Sequence, residues 1–324
     1  MKLKRRDFIP LAAIGVASGY ASLRPEEEPE PLSDGPPGKS PVAILRAKSY
    51  SDDLAARMYA GIQECGLDAR GKRVLLKPNL VEFDSATVIN TDAMVVAAAY
   101  EVFQKLGAAK VVIGEGPGHR RDTLDLADDA KYRATVSRFE DNFVDLNRDD
   151  VSTVRNFSQE KEFYFANTIL GADLIVSLAK MKTHHWAGVT LSMKNLFGLV
   201  PGSVYGWPKN KLHYIGIPES IVALNRLFRN TFAIVDGVVG MEGNGPIQGT
   251  PKPLGVLVMG RDLVAVDATC CRIMGVDPEK VEYLRMAADL GHVKPDHIDQ
   301  RGENIASVHS DFRLAPDFAG LRLS

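Results

Sequence analysis

Residues 74–114 read VLLKPNLVEFDSATVINTDAMVVAAAYEVFQKLGAAKVVIG, and this stretch decides the fold. It opens with the apolar run Val74–Lys77, a strand. Thr91 then caps an amphipathic helix whose Met94, Val95, Ala98, Ala99, Val102, Phe103 and Leu106 fall on one face, with Gly107 as its stop. A second apolar strand, Lys110–Gly114, closes the unit. Strand, helix and strand in that order make a parallel crossover.

The pattern continues outward in both directions. Val42–Arg46 reads as a strand and Ser51–Cys65 as a helix capped by Ser51 and stopped by Gly66. Leu174–Leu178, Phe232–Val235 and Leu254–Met259 are further strands. Pro218–Arg229 and Pro278–Leu290 are helices that open on proline, which suits the first helical position. The expected fold is α/β: an open, at least partly parallel sheet with helices on both faces. One domain spans 42–310, with a charged, poorly periodic insertion around 119–170 and a C-terminal tail at 311–324.

Composition narrows the class. The chain has 324 residues, 45% hydrophobic and 25% charged, with 39 basic and 41 acidic side chains. That is an ordinary globular balance with no basic domain, so no nucleic-acid partner is expected. Three cysteines, Cys65, Cys270 and Cys271, supply neither a disulfide framework nor the four thiolates of a usual iron–sulfur cluster.

The first forty residues read as an address. Lys2, Lys4, Arg5 and Arg6 precede an apolar run from Phe8 to Val16 and then small residues, the order of an export signal. Arg5-Arg6, one residue, then Phe8-Ile9 resembles the twin-arginine consensus, with Lys4 and Pro10 as departures. The expectation is a signal peptide at 1–21, export by the twin-arginine translocation machinery, and a periplasmic or otherwise extracytoplasmic location. Removing it leaves 35 basic and 40 acidic residues, a net charge of −5. Residues 22–41, with six prolines and four glutamates between Arg24 and Pro41, read as a disordered linker.

In open α/β sheets ligands bind at the carboxyl ends of the strands. Polar groups recur there. Lys77-Pro78-Asn79 follows the first strand of the deciding stretch, and Glu115-Gly116 follows the second. The glycines at 114–118 can form a nest of amides for an anion, and their spacing is neither a Walker loop nor G-x-G-x-x-G. Lys182-Thr183-His184 follows the strand at 174–178. Adjacent His184 and His185 point opposite ways if extended, so one of them at most is a ligand. Lys194-Asn195 follows another β-rich run, and a lysine between apolar segments needs a partner or a bound anion. Asp236 closes a strand, Glu242 and Asn244 sit in a glycine-rich loop, and Asp267 lies among apolar residues on a helix.

These residues divide into three roles. Lys182, His184 and Glu115 are the acid–base and charge-stabilising candidates. Lys77, Asn79, Lys194, Asn195 and Gly116 would hold a small anionic ligand. Asp236, Glu242 and His184 are the expected ligands of a divalent metal, a hard or borderline set rather than a thiolate one.

Lys77-Pro78-Asn79-Leu80, Thr91-Asp92, Gly114-Glu115-Gly116, Lys182-Thr183-His184, Ser192-Met193-Lys194-Asn195 with Phe197-Gly198, Asp236-Gly237, Glu242-Gly243-Asn244-Gly245-Pro246, and Asp262 with Asp267 occur in an order that resembles the domain-of-unknown-function 362 family. The resemblance runs from about residue 42 to 290. It implies no particular reaction. Some relatives carry a ferredoxin-like module and are called iron–sulfur proteins, and this sequence has no such cysteine run. The leading expectation is an exported enzyme that binds a divalent metal and a small anion. The alternatives are a non-catalytic periplasmic binding or accessory protein, and a subunit of a redox complex whose iron–sulfur cofactor sits in a partner.

Overall fold

The computed structural model describes residues 32–118 and 121–323. The segments expected to be an export signal and the first part of a linker lie outside the described residues. Strands are β1 (Ser40–Arg46), β2 (Arg73–Pro78), β3 (Lys110–Glu115), β4 (Phe143–Asp145), β5 (Val151–Phe157), β6 (Glu160–Ala166), β7 (Leu174–His184), β8 (Gly188–Thr190), β9 (Thr231–Asn244), β10 (Gln248–Gly260) and β11 (Ile298–Gly302). The main sheet runs β11-β1-β10-β9-β7-β2-β3-β4, with β8 folded onto the end of β7, while β5 and β6 form a separate hairpin. Only β10 and β8 run against the rest.

Two apolar cores, one on each face, follow from the alternation of side chains along the strands. On β1, Val42 and Ile44 join the core beneath the helices Ile217–Leu227 and Leu263–Ile273. Ala43 joins the opposite core beneath α1 (Leu54–Glu64) and α2 (Ala93–Lys105). All eleven residues of β7 are buried. Each fully buried Leu, Ile or Val there contributes about 1.5–3 kcal/mol over an exposed one.

Several elements differ from the sequence reading. Asp53 caps α1 and Asp92 caps α2, each accepting an amide of the first turn. Ser51 is not the cap. Thr91 instead receives the amide of Asn79 and donates to Leu178 O, tying β2 to β7. The strands expected at 174–178, 232–235 and 254–259 extend to eleven, fourteen and thirteen residues. The helix expected at 278–290 is two short turns, Pro278–Lys280 and Glu282–Met286.

Within 119–170, β4 pairs with β3, and β5–β6 forms a hairpin carrying a Phe157–Phe163–Phe165 cluster. Phe163 stacks on Tyr205 at 4.2 Å. At the chain's two ends, Asp34 pairs with Lys294 at 2.7 Å, and Phe312 is fully buried.

Candidate functional site

Parallel β2, β3 and β7 deliver Lys77, Glu115 and Lys182 to one edge of the sheet, and these form the floor of a cavity of about 280 Å3. Lys77 Nζ donates to Glu115 Oε2 at 2.5 Å, and both side chains are 1% exposed. The same ammonium reaches Pro78 O and Asn195 Oδ1. Glu115 is further held by the amides of Leu80 and Gly116. The glycine-loop amide at Gly116 is therefore taken by the protein's own carboxylate. Gly198 covers this pair: a Cβ there would collide with the Glu115 carboxylate and the Lys77 side chain.

Lys182 is fully buried and among the described residues donates only to carbonyls, Ile89 O at 2.7 Å and Pro246 O at 3.3 Å. Desolvation and the neighbouring lysines, Lys194 first, hold its pKa well below the ordinary range. The short helix Ser192–Asn195 supplies Lys194 and Asn195. Its first turn is set by Asp267, which accepts from Ser192 N, Ser192 Oγ and Met193 N and from Tyr283 OH. Burial pushes Asp267 up to about 7. Lys194 lies over the Phe197 ring at 4.5 Å and has no carboxylate partner among the described residues. Burial, then the charge of Lys77, lowers it to about 8.

His184 also faces the cavity. Its Nδ1 accepts the amides of Trp186 at 2.9 Å and Ala187 at 3.2 Å. An imidazole that accepts at Nδ1 carries its proton on Nε2 when neutral. Burial, and then the Lys194 charge, push its pKa far below the ordinary value, so the ring stays neutral. The ring therefore offers an N–H rather than a lone pair for a metal.

The far wall is the segment between Gly206 (φ +72°) and Gly216 (φ +111°), which contributes Lys209 and His213. Lys209 donates to Gly116 O and Phe197 O, and burial lowers it to about 7. The rim is a chain of rings. His185 meets Trp186 at 4.7 Å, Trp186 meets His213 at 5.8 Å, and Trp186 is 60% exposed.

Lys77, Asn79, Glu115, Gly116, Lys182, His184, Lys194 and Asn195 thus line one cavity. His185 lines it too, with its Nδ1 2.7 Å from Gly245 O. Lys182 and His184 lie within β7, not in a loop after it. The expected metal set does not assemble. Asp236 accepts from Lys180 Nζ at 2.8 Å, Tyr50 OH at 3.1 Å and the amides of Asp92 and Val238. Glu242 is bound by Arg313 through Nε at 2.9 Å and the backbone amide at 3.0 Å. Neither lines the cavity, and among the described residues no group of three or more His, Cys, Asp or Glu could hold a metal ion. All three cysteines are buried.

Sequence reasoning assigned no role to Lys180, Lys209 or His213. Lys180 carried a signal, being a lysine inside an apolar run. Lys209 has none, since it reaches the site only because a turn with φ +68° aims it back at Gly116.

The model of the domain of unknown function DUF362 matches residues 74–272, more than half of the chain, and the chain belongs to that family. The thylakoid-associated protein sll1697 of Synechocystis is 27% identical over 260 residues, covering 77% of this chain and 79% of the relative. Among solved structures, the lactate racemase apoprotein of Thermoanaerobacterium thermosaccharolyticum is similar with a TM-score of 0.45 and 14% identity. A Thermotoga maritima protein is similar with 0.43 and 14%. The alignments cover 74% and 76% of this chain, and the chain spans 57% and 60% of those two proteins.

Proposed function

We propose that the chain binds a small organic anion, a carboxylate or phosphate, in the lysine-lined cavity and acts on it as an enzyme outside the cytoplasm. One observation carries this reading. Among the described residues, four lysines (Lys77, Lys182, Lys194 and Lys209) surround a cavity lined by one carboxylate, Glu115, and that carboxylate is already committed to Lys77. Buried charge of one sign needs a partner. A bound anion beside Lys194 supplies it and restores the proton that burial disfavours.

The roles follow from the chemistry. Lys194 and Lys182 neutralise the anion. Neutral His184, donating from Nε2, stabilises charge that develops on an oxygen, as a preorganised N–H does without reorganisation. Lys209, lowered to about 7, exchanges a proton near neutral pH and is the acid–base candidate. The reading rests on the lysines and not on a metal, because Asp236, Glu242 and His184 stand apart.

The location rests on Arg5-Arg6-Asp7-Phe8-Ile9 and the apolar run after it. A relative named as thylakoid-associated fits a protein that works at a membrane. Fractionation of cells with and without the twin-arginine pathway tests it.

The binding test is calorimetric titration of the full chain with phenylacetate and phenyl phosphate. We expect saturable one-to-one binding of at least one of them, weakened about tenfold or more in Lys194→Met with the thermal transition kept. No binding by either, or binding indifferent to Lys194→Met, overturns the reading. Conversion of a bound acid to product then separates an enzyme from a binding protein.

A further inference from the structure

Two residues of the cavity wall carry a polar atom that nothing among the described residues satisfies. The orientation of the Asn195 amide is fixed, because its Nδ2 donates to Lys77 O and Ser177 Oγ, each at 3.0 Å. Its Oδ1 therefore faces Lys77 Nζ and Asn79 Nδ2, each at 3.2 Å. Asn79 must present its Nδ2 there, and its own Oδ1 is left buried without a partner. Thr190 Oγ1, on a residue 4% exposed, is likewise unpartnered. Of the four buried side-chain atoms in this condition among the described residues, these two belong to the cavity wall. Buried orphans are rare in native proteins, and a ligand is one way to fill them.

The cavity is also too large for a bare anion. Its volume of about 280 Å3 holds roughly nine waters at about 30 Å3 each. Its lining also includes Phe197, Pro208, Pro246 and Ile247, with Trp186 exposed and His213 edge-on to it. An exposed indole against a cavity suits a flat apolar group.

We infer that the acid bound here carries a flat ring and, near its carboxylate, an O–H or N–H donor. This rests on the anion reading above. The carboxylate meets Lys194, the ligand's hydroxyl or amine donates to Asn79 Oδ1 and accepts from the Thr190 hydroxyl, and the ring lies against Trp186.

Four probes separate these features: acetate, glycolate (hydroxyl, no ring), phenylacetate (ring, no hydroxyl) and mandelate (both). Each is titrated into the full chain at pH 7, with calorimetry as the readout and fluorescence of Trp186, one of two tryptophans, as a second. We expect mandelate to bind about tenfold or more tighter than phenylacetate and than glycolate, because an unmatched buried polar group penalises the ligand that lacks its partner. Thr190→Val should erase the preference of mandelate over phenylacetate, and Thr190→Ser should keep it. Trp186→Ala should erase the preference over glycolate. Equal binding of all four leaves the anion reading standing and overturns this one. Failure of all four also overturns this one, and the anion reading falls with it only if phenyl phosphate fails as well.

Discussion

Lys180 and Lys182 lie two residues apart on β7, each no more than 1% exposed, and their surroundings differ in kind. Lys180 sits in a closed set. Its ammonium meets Asp236 at 2.8 Å and Tyr50 OH at 2.8 Å, and Asp236 takes two amides besides. One cation meets one anion, and the carboxylate is fully satisfied. Lys182 sits in an open set, with carbonyls for partners and three further lysines around the same cavity. A protein that only needed stability would use the first arrangement. The second leaves a lysine without an anionic partner among the described residues, and the difference separates a structural ion pair from the proposed binding site more clearly than residue type does.

The comparison breaks most visibly at Asp236. Asp236→Ala leaves Lys180 buried and unpaired, which costs about 3–5 kcal/mol. Chemical denaturation should show that loss, whereas Lys194→Met, which removes an unpaired cation from the open set, should leave stability equal or higher. Equal destabilisation by both would erase the distinction.

A pH series sharpens it. In the empty protein Lys209 is lowered to about 7 and Lys194 to about 8 by burial. A bound anion raises both, so binding takes up protons above pH 7. Affinity for phenylacetate should be flat below pH 7 and fall by up to about tenfold per unit per proton above it. Stability has the matching sign. A lysine depressed in the fold favours folding above its unfolded pKa of about 10.4, and that share is lost as pH falls toward 7. The empty chain should therefore gain stability from pH 7 to 10, and saturating ligand should flatten the slope. A flat slope without ligand would mean the open set is not strained.

The smallest effect is expected at Arg313→Ala. Arg313 is 65% exposed where it meets Glu242, which is 11% exposed but keeps the Arg313 backbone amide and Lys252 when the guanidinium is lost, so the cost is about 1 kcal/mol. Ligand affinity should not change. A large loss of binding would return Glu242 to the site.

Much of the fold was legible because it is local. The crossover of β2, α2 and β3 follows from period and stop signals within about forty residues, and the carboxyl ends of those two strands carry the cavity's Lys77 and Glu115. What was illegible is long-range. Asp236 finds Lys180 across 56 positions and Glu242 finds Arg313 across 71. No pattern in one sequence says whether a strand-end carboxylate meets a lysine or a metal. The length of β7 was hidden for a related reason. Polar residues ended the apparent strand at Leu178, yet Thr183 and Lys182 continue it because β8 pairs back onto them.

The two glycines at 206 and 216 give the cavity walls of unequal stiffness. The floor is hydrogen-bonded on both sides, since β7 lies between β2 and β9. Its amides should exchange with deuterium only when the sheet itself opens. The wall between the glycines is one six-residue helix, Asn210–Ile215, with a left-handed residue just before it and a positive-φ glycine just after. Such a segment opens locally at small cost and its amides exchange early. For the anion proposed above, residence time should track the opening of this wall, and selectivity should track the floor.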